Sequence, residues 1–253
     1  MRASESKREN LKRVLESIER VDADLHAFPE YLMGVGERGI SRKYVRELAE
    51  PIDGEFAISI LEKTGEVGVA AVFTLFMREG ESVYNAAVLA DGGRVRAVYK
   101  KIHLFDAYGY RESRLFEPGR ELAISDVGGF RVGLAVCFDL RFPELFRAMA
   151  YRGVDVFVVP SAWYRGSYKL DQWRALALAR AHENTAYLVA VDQTGRLFLG
   201  HSMIASPLGY LELDLGEGER SAVFEIGRGE IEEARRLVPW PELARKDLYR
   251  EWI

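Results

Sequence analysis

A chain of 253 residues with 48% apolar and 29% charged side chains can bury one large α/β core and does not read as disordered. Its formal net charge of −4 gives no electrostatic ground for a nucleic-acid or anionic-membrane partner, and no apolar stretch approaches the roughly 20 residues that span a bilayer. A single cysteine excludes an internal disulfide framework and fits a reducing cytosol, while four widely separated histidines argue against a zinc site.

Residues 5–21 carry Leu11, Val14, Leu15, Ile18 and Val21 on one face, which predicts an amphipathic helix. Residues 24–29 predict a short strand ending at Glu30, residues 41–50 and 55–64 two helices, and residues 67–73 a strand. Segments 82–89 and 94–101 flank Asp91-Gly92-Gly93, a strong hairpin signal. A loop holding Tyr108-Gly-Tyr-Arg-Glu112 and Phe116-Glu-Pro-Gly119 follows. Next come strands near 121–126 and 130–137, a helix at 143–152 opened by Pro143, and a strand at 155–160. An Ala/Leu-rich helix at 169–184 leads to a strand at 186–192. Strands near 197–205, 209–215 and 220–226 and a helix near 228–237 complete the body, and an aromatic and charged tail, 238–253, is suited to packing on another subunit. Helices and strands alternate with hairpins mixed in, so mixed sheets are expected. Only three Asn and two Gln stand against many Arg and Glu, the bias of a thermophilic source.

The apolar run Arg131-Val-Gly-Leu-Ala-Val-Cys137 breaks into Phe-Asp-Leu-Arg-Phe-Pro-Glu, so the thiol falls at a strand-to-helix elbow beside backbone N–H groups. Free cysteine is often just a small buried hydrophobe, but the polar elbow after it favours a nucleophile. Glu30 and Lys101 also stand at strand ends, the edge where α/β proteins build sites. A carboxylate, an ammonium and a thiol together supply a base, an oxyanion stabiliser and a nucleophile for acyl transfer. Read singly, each is better explained by a plain structural role, Glu30 as a helix N-terminal carboxylate and Lys101 as a solvated strand-end lysine. There is no Gly-rich phosphate loop and no Gly-x-Ser-x-Gly elbow, and no cofactor is implied.

Seven segments in order, Phe28-Pro-Glu30-Tyr, Tyr84-Asn85, Tyr99-Lys-Lys101-Ile-His-Leu-Phe-Asp106, Tyr110-Arg-Glu112-Ser, Phe116-Glu-Pro-Gly119, Cys137-Phe-Asp-Leu-Arg141-Phe-Pro-Glu144 and Arg180-Ala-His-Glu-Asn184, closely resemble the nitrilase (carbon–nitrogen hydrolase) superfamily. The resemblance covers nearly the whole chain and implies one domain over residues 1–253. It implies an α/β fold, a four-layer αββα sandwich with two mixed β-sheets, assembled as a homodimer or larger homo-oligomer. It places the family's Glu–Lys–Cys triad on Glu30, Lys101 and Cys137, with Lys100 facing away on the other side of its strand. The family's second glutamate falls on Glu112, six residues before the Pro-Gly pair, rather than on Glu117. The Phe138 backbone N–H is implied as an oxyanion donor, and a thiolate beside Lys101 as the nucleophile.

Arg141 matches a position that N-carbamoyl-amino-acid hydrolases of the family use for a substrate carboxylate; the other reading pairs it with Glu144 or Glu183. Trp163, Tyr164 and Arg165 follow a strand end and are expected to line the pocket or simply to pack there. His103 is expected to be a structural hydrogen-bonder. The short-loop pattern looks most like the small-amidase branch, including ω-amidases, which implies a cytoplasmic enzyme cleaving a small carboxylate-bearing amide to acid and ammonia. The alternatives are hydrolysis of N-carbamoyl compounds, hydrolysis of nitriles, and a non-catalytic binding protein on the same fold. Family members open with an apolar strand ending in Gln, internal to a sheet, whereas this chain begins at Met1-Arg-Ala-Ser-Glu. The expectation is that the coding sequence starts upstream of Met1, and DNA with no in-frame apolar segment before Met1 refutes it.

Overall fold

The computed structural model describes residues 1–252, so Ile253 of the expected tail lies outside the described residues. Helix α1 (Lys7–Arg20) begins where the Ser6 side chain accepts the Glu9 N–H at 3.2 Å, and it buries Val14 and Ile18. After β1 (Leu25–Ala27), α2 (Arg42–Leu48) starts under the same kind of cap from Ser41. Helix α3 (Glu55–Val67) runs three residues beyond its expected end and stops at Gly68, whose φ of +80° closes it. Strand β2 (Ala70–Glu79) is therefore displaced toward the C-terminus of the expected 67–73.

Strands β3 (Ser82–Asp91) and β4 (Arg94–Lys100) form the expected hairpin, with Gly92 and Gly93 both at positive φ in the turn. The first sheet has the order β1-β2-β3-β4, with β1 parallel to β2 and the rest antiparallel. The second contains β5 (Ala123–Val127), β6 (Phe130–Leu134), β7 (Val156–Ser161), β8 (Tyr187–Asp192), β9 (Met203–Ala205) and β10 (Leu211–Asp214), in the order β10-β9-β8-β7-β6-β5. Strands β6, β7 and β8 are parallel and the outer pairs antiparallel. Both sheets are mixed, as expected.

The alternation of β2 and β3 builds the layers. Val72, Ala87 and Leu89 face the second sheet and share one core with Leu134 and Val158. Ala71, Phe73, Ala86, Val88 and Ala90 face the other way, onto Val14, Ile18, Phe56 and Ile60 of α1 and α3. Beyond the second sheet, α4 (Pro143–Ala150) and α5 (Lys169–His182) contribute Phe146, Met149, Trp173 and Ala177 to the core. Phe146 meets Phe157 of β7 edge-on at 5.1 Å. The stack is helix, sheet, sheet, helix: the expected αββα sandwich.

Helix α6 (Arg228–Leu237) falls where it was expected, and α7 (Trp240–Leu243) and α8 (Lys246–Trp252) follow. Trp240 of the tail packs on its own chain, edge-on to Tyr151 at 4.9 Å and donating to Thr185 Oγ1 at 3.1 Å.

Three strand expectations fail. The run 197–205 is extended only at β9, because Gly195, Gly200 and His201 take positive φ and bend the chain. Residues 220–226 pair with no strand; most of their side chains are exposed, Val223 at 63%, and only Phe224 and Ile226 reach the core. Alternation by itself does not make a strand where the segment pairs with no sheet edge. Finally, β6 ends at Leu134, short of the expected 137, where the backbone turns to present Cys137.

Candidate active site

The thiol elbow is built by one buried carboxylate. Cys137 has φ +46°, a left-handed conformation that costs a non-glycine residue roughly 1–2 kcal/mol. It opens a short 3-10 helix, Cys137–Arg141, which Asp139 fastens. Asp139 is fully buried; its Oδ2 accepts the Val136 N–H and the Tyr99 hydroxyl, each at 2.9 Å, and its Oδ1 accepts the His103 N–H at 3.1 Å. His103 Nδ1 lies 2.7 Å from the same oxygen and its ring stacks on Phe142, the structural role expected of it. Arg180 Nε donates to Leu140 O at 2.9 Å and holds the far end of the turn. The Phe138 N–H lies in the first turn of this helix, where N–H groups have no intrahelical acceptor.

Glu30 follows β1, and Tyr31 after it takes φ +58°. Thr74 of β2 splints this turn, donating to Pro29 O at 3.0 Å and accepting the Leu32 N–H at 3.1 Å. The Glu30 carboxylate is 1% exposed. Its Oε2 accepts the Ala162 N–H at 2.8 Å, and its Oε1 accepts Lys101 Nζ at 2.9 Å and Asn85 Nδ2 at 2.7 Å.

Lys101, just past β4, bridges two carboxylates, with Glu30 and Glu112 each 2.9 Å from Nζ. Glu112 is fully buried, receiving Phe105 N–H at 2.7 Å, Asn85 Nδ2 at 2.9 Å and the Tyr31 hydroxyl at 3.2 Å. Glu117 is exposed and takes no part in this network. Lys100 points to the other face of the strand, 2.5 Å from Glu79, as the strand alternation requires.

Gly119 sets the position of Lys101. Its N–H donates to Lys101 O at 2.9 Å, and a Cβ on it would sit 2.7 Å from the Lys100 carbonyl carbon. Gly119→Ala is therefore expected to lose about 3 kcal/mol, near the upper end of overpacking costs, lowering the melting temperature by about 6–12 °C. Calorimetry checks this, and an unchanged melting temperature would mean the two backbones can separate at no cost.

The charges follow from burial. Desolvation pushes Glu30 above the usual carboxylate range; Lys101 opposes it and Glu112 adds to it. Burial works against the Lys101 ammonium, but Glu112, Glu30 and Cys137 outweigh it and hold its pKa well above the ordinary lysine value. Burial and then Glu30 push the Cys137 thiol far up, against the pull of Lys101 and the Ala162 N–H. The cation is already matched by two carboxylates, and Glu30 opposes a second negative charge nearby, so the thiolate expected as the nucleophile needs a base to form.

Glu30, Lys101, Cys137, Phe138, Arg141, Trp163 and Tyr164 line one cavity, so the residues singled out in the sequence converge. Glu112 stands just behind it, on Lys101. Arg141 pairs with neither Glu144 nor Glu183; it donates to Gln172 Oε1 at 2.8 Å, and Arg180 takes Glu183 instead. Trp163 is held by its N–H to Asp192 Oδ1 at 2.7 Å. Burial pushes the Tyr164 phenol up to about 12, with Glu30 and Cys137 adding to the effect. Arg165 turns away from the cavity, toward Glu217 at 3.1 Å, because its neighbours along the strand end occupy the inner face.

Two participants escaped the sequence reading, Asp192, which holds Trp163, and Lys169, which lines the cavity; a third, Asn85, which donates to both carboxylates, was marked only as part of a matching segment and given no role. Asn85 did carry a signal, being an amide in the middle of the apolar run 83–90.

The fold and site define an αββα enzyme with a buried thiol. The chain matches the Carbon-nitrogen hydrolase family over residues 2–236 and belongs to it. It is 31% identical to a deaminated glutathione amidase of Escherichia coli O157:H7 over 220 residues, 86% of this chain and 83% of that one. It is 32% identical to a 2-oxoglutaramate amidase of Bacillus subtilis over 250 residues, 95% and 93% of the two chains. The nitrilase–fragile-histidine-triad fusion protein of Caenorhabditis elegans superposes with a TM-score of 0.89 at 28% identity, over 98% of this chain and 64% of that one. The protein is a carbon–nitrogen hydrolase. Among the described residues no helix is long and apolar enough to cross a membrane.

Proposed function

We propose that this hydrolase cleaves the terminal amide of a small linear carboxylic acid, releasing ammonia through a thioester on Cys137. The observation that carries this reading is the buried Glu30–Lys101–Glu112 network facing the lone thiol in one cavity. The raised thiol keeps its proton until substrate arrives, and the raised Glu30 is the stronger base for taking it. As sulfur bonds to the amide carbon, the thiol proton passes to Glu30. Lys101 Nζ and the Phe138 N–H hold the oxyanion, each such donor being worth about 3–4 kcal/mol. The tetrahedral intermediate expels ammonia with the proton from Glu30 and leaves the thioester. Water, deprotonated by Glu30 and positioned with Glu112, then releases the acid and restores the thiol. No cofactor enters these steps.

Arg141, Trp163 and Tyr164 are the substrate-binding side chains in this reading, the guanidinium facing the acid end of the substrate. The names of the two amidase relatives support the substrate class, since 2-oxoglutaramate carries a carboxylate at the end of the chain away from its amide. The reading also carries a cytosolic location, where a nucleophilic thiol stays reduced, and a homodimer or larger assembly, which sedimentation would measure. Ammonia release from ω-monoamides, neutral amides, N-carbamoyl amino acids and nitriles tests the reaction. Turnover is expected for the monoamides; release confined to the carbamoyl compounds or the nitriles would replace this reading with that one.

A further inference from the structure

Lys169, the first residue of α5, projects over the mouth of the cavity with Arg141 as its neighbour. The two cations share the same aromatic rings. Lys169 Nζ lies 3.7 Å from the Tyr108 centroid and 5.6 Å from that of Trp163, while Arg141 Cζ lies 5.9 Å and 4.9 Å from those rings. Among the described residues neither cation forms an ion pair with an acidic side chain, and Arg141 Nε is buried with no hydrogen-bond partner. Cation–π contact explains where each rests. It does not explain why two positive charges are brought together without an acid between them, an arrangement that disfavours both. Burial lowers the Lys169 pKa first, and the charge of Arg141 adds to it.

The position of Lys169 is built rather than incidental. Tyr168 before it takes φ +61°, and Trp163 Nε1 donates to Lys169 O at 3.2 Å, tying the start of α5 to the ring on which the ammonium lies. The cavity above the thiol has a volume of about 20 Å³, little more than one water needs. An acyl chain reaching from Cys137 therefore has to extend beyond this enclosed space, along a lining to which both cations belong.

We propose that Lys169 is a specificity-determining residue that acts with Arg141 as a two-point clamp on the carboxylate at the far end of the substrate. This rests on the amidase reading above. The anion relieves the repulsion between the two cations, supplies the acceptor that Arg141 Nε lacks, and fixes the distance from acid to amide.

The test compares wild type, Lys169→Met and Lys169→Arg on glutaramate and on its neutral analogue pentanamide. The ratio of kcat/KM for glutaramate over pentanamide is expected to fall by about 10–100-fold in Lys169→Met, the range of one charge-assisted hydrogen bond, with most of the change in KM. Lys169→Arg should recover most of it. An unchanged ratio in Lys169→Met overturns the clamp, including where both substrates slow together. Glutarate binding, read by tryptophan fluorescence in Cys137→Ala with and without Lys169→Met, decides the clamp independently of catalysis. Weaker glutarate binding in the double variant supports the clamp even where neither amide is hydrolysed, an outcome that would sink only the amidase reading. Equal glutarate binding overturns the clamp even in an active amidase.

Discussion

Cys137→Ala is expected to abolish ammonia release, lowering kcat by at least about 10⁴-fold, because no other group near the cavity can form the thioester. The fold should survive. The thiol donates no hydrogen bond on which the elbow depends, and the turn is fastened through Asp139 instead. Loss of one buried sulfur costs about 1 kcal/mol. Cys137→Gly removes the same atom and also relieves the left-handed backbone, so it should be equally inactive yet more stable than Cys137→Ala by about 1 kcal/mol. The pair of variants measures the strain at the nucleophile separately from its chemistry. Residual turnover in either one would mean that hydrolysis proceeds by direct attack of water, and Cys137 would lose its role. Equal stability of the two variants would show that the positive φ is held without cost.

The site was legible in the sequence where it depends on strand ends. Glu30, Lys101 and Cys137 each follow a strand or its last turn, and a run of apolar residues broken by one polar residue marks such a place without any tertiary knowledge. What surrounds them was not legible. Asp139 receives bonds from Tyr99 and His103, 40 and 36 positions away, and Asp192 reaches Trp163 across 29 positions; these partnerships exist only once distant segments are brought together. Lys169 begins a helix like many lysines, and nothing local tells that it will lie over Tyr108. Lys101 is legible as a cation beside sulfur, but the two carboxylates that bind it, one of them 11 positions along the chain and the other 71, are not legible as its partners. In the fold, the hairpin at Gly92-Gly93 and helix α6 were written locally. The missing strand at 220–226 was not, because pairing depends on a free edge that alternation cannot report.

Lys101→Met should damage both activity and folding, and the two losses have different origins. Removing the ammonium leaves the Glu30 and Glu112 carboxylates buried, both still hydrogen-bonded to Asn85 and no longer neutralised. Breaking one partner out of a buried ionic group typically costs about 3–5 kcal/mol, which for a chain of this size is roughly 6–20 °C in melting temperature. The cost must depend on pH. Burial already raises the Glu30 carboxyl in the wild type, and losing Lys101 removes the interaction that pulls it down. A carboxyl whose folded pKa is raised favours the folded state below its unfolded pKa, and that contribution is lost as pH rises through the folded value. The stability gap between wild type and Lys101→Met should therefore be small in mild acid and widen toward neutrality. Urea unfolding at several pH values between about 5 and 8 measures it, and a gap that stays flat would mean that the carboxylates do not share a desolvated site. Adding Glu112→Gln to Lys101→Met removes one of the two opposed charges, so stability at neutral pH should return in part. Activity should not, because the oxyanion donor is still absent, and one such donor alone contributes about 10²–10³-fold. Recovery of stability without recovery of turnover separates the structural work of Lys101, holding two acids together, from its chemical work on the substrate.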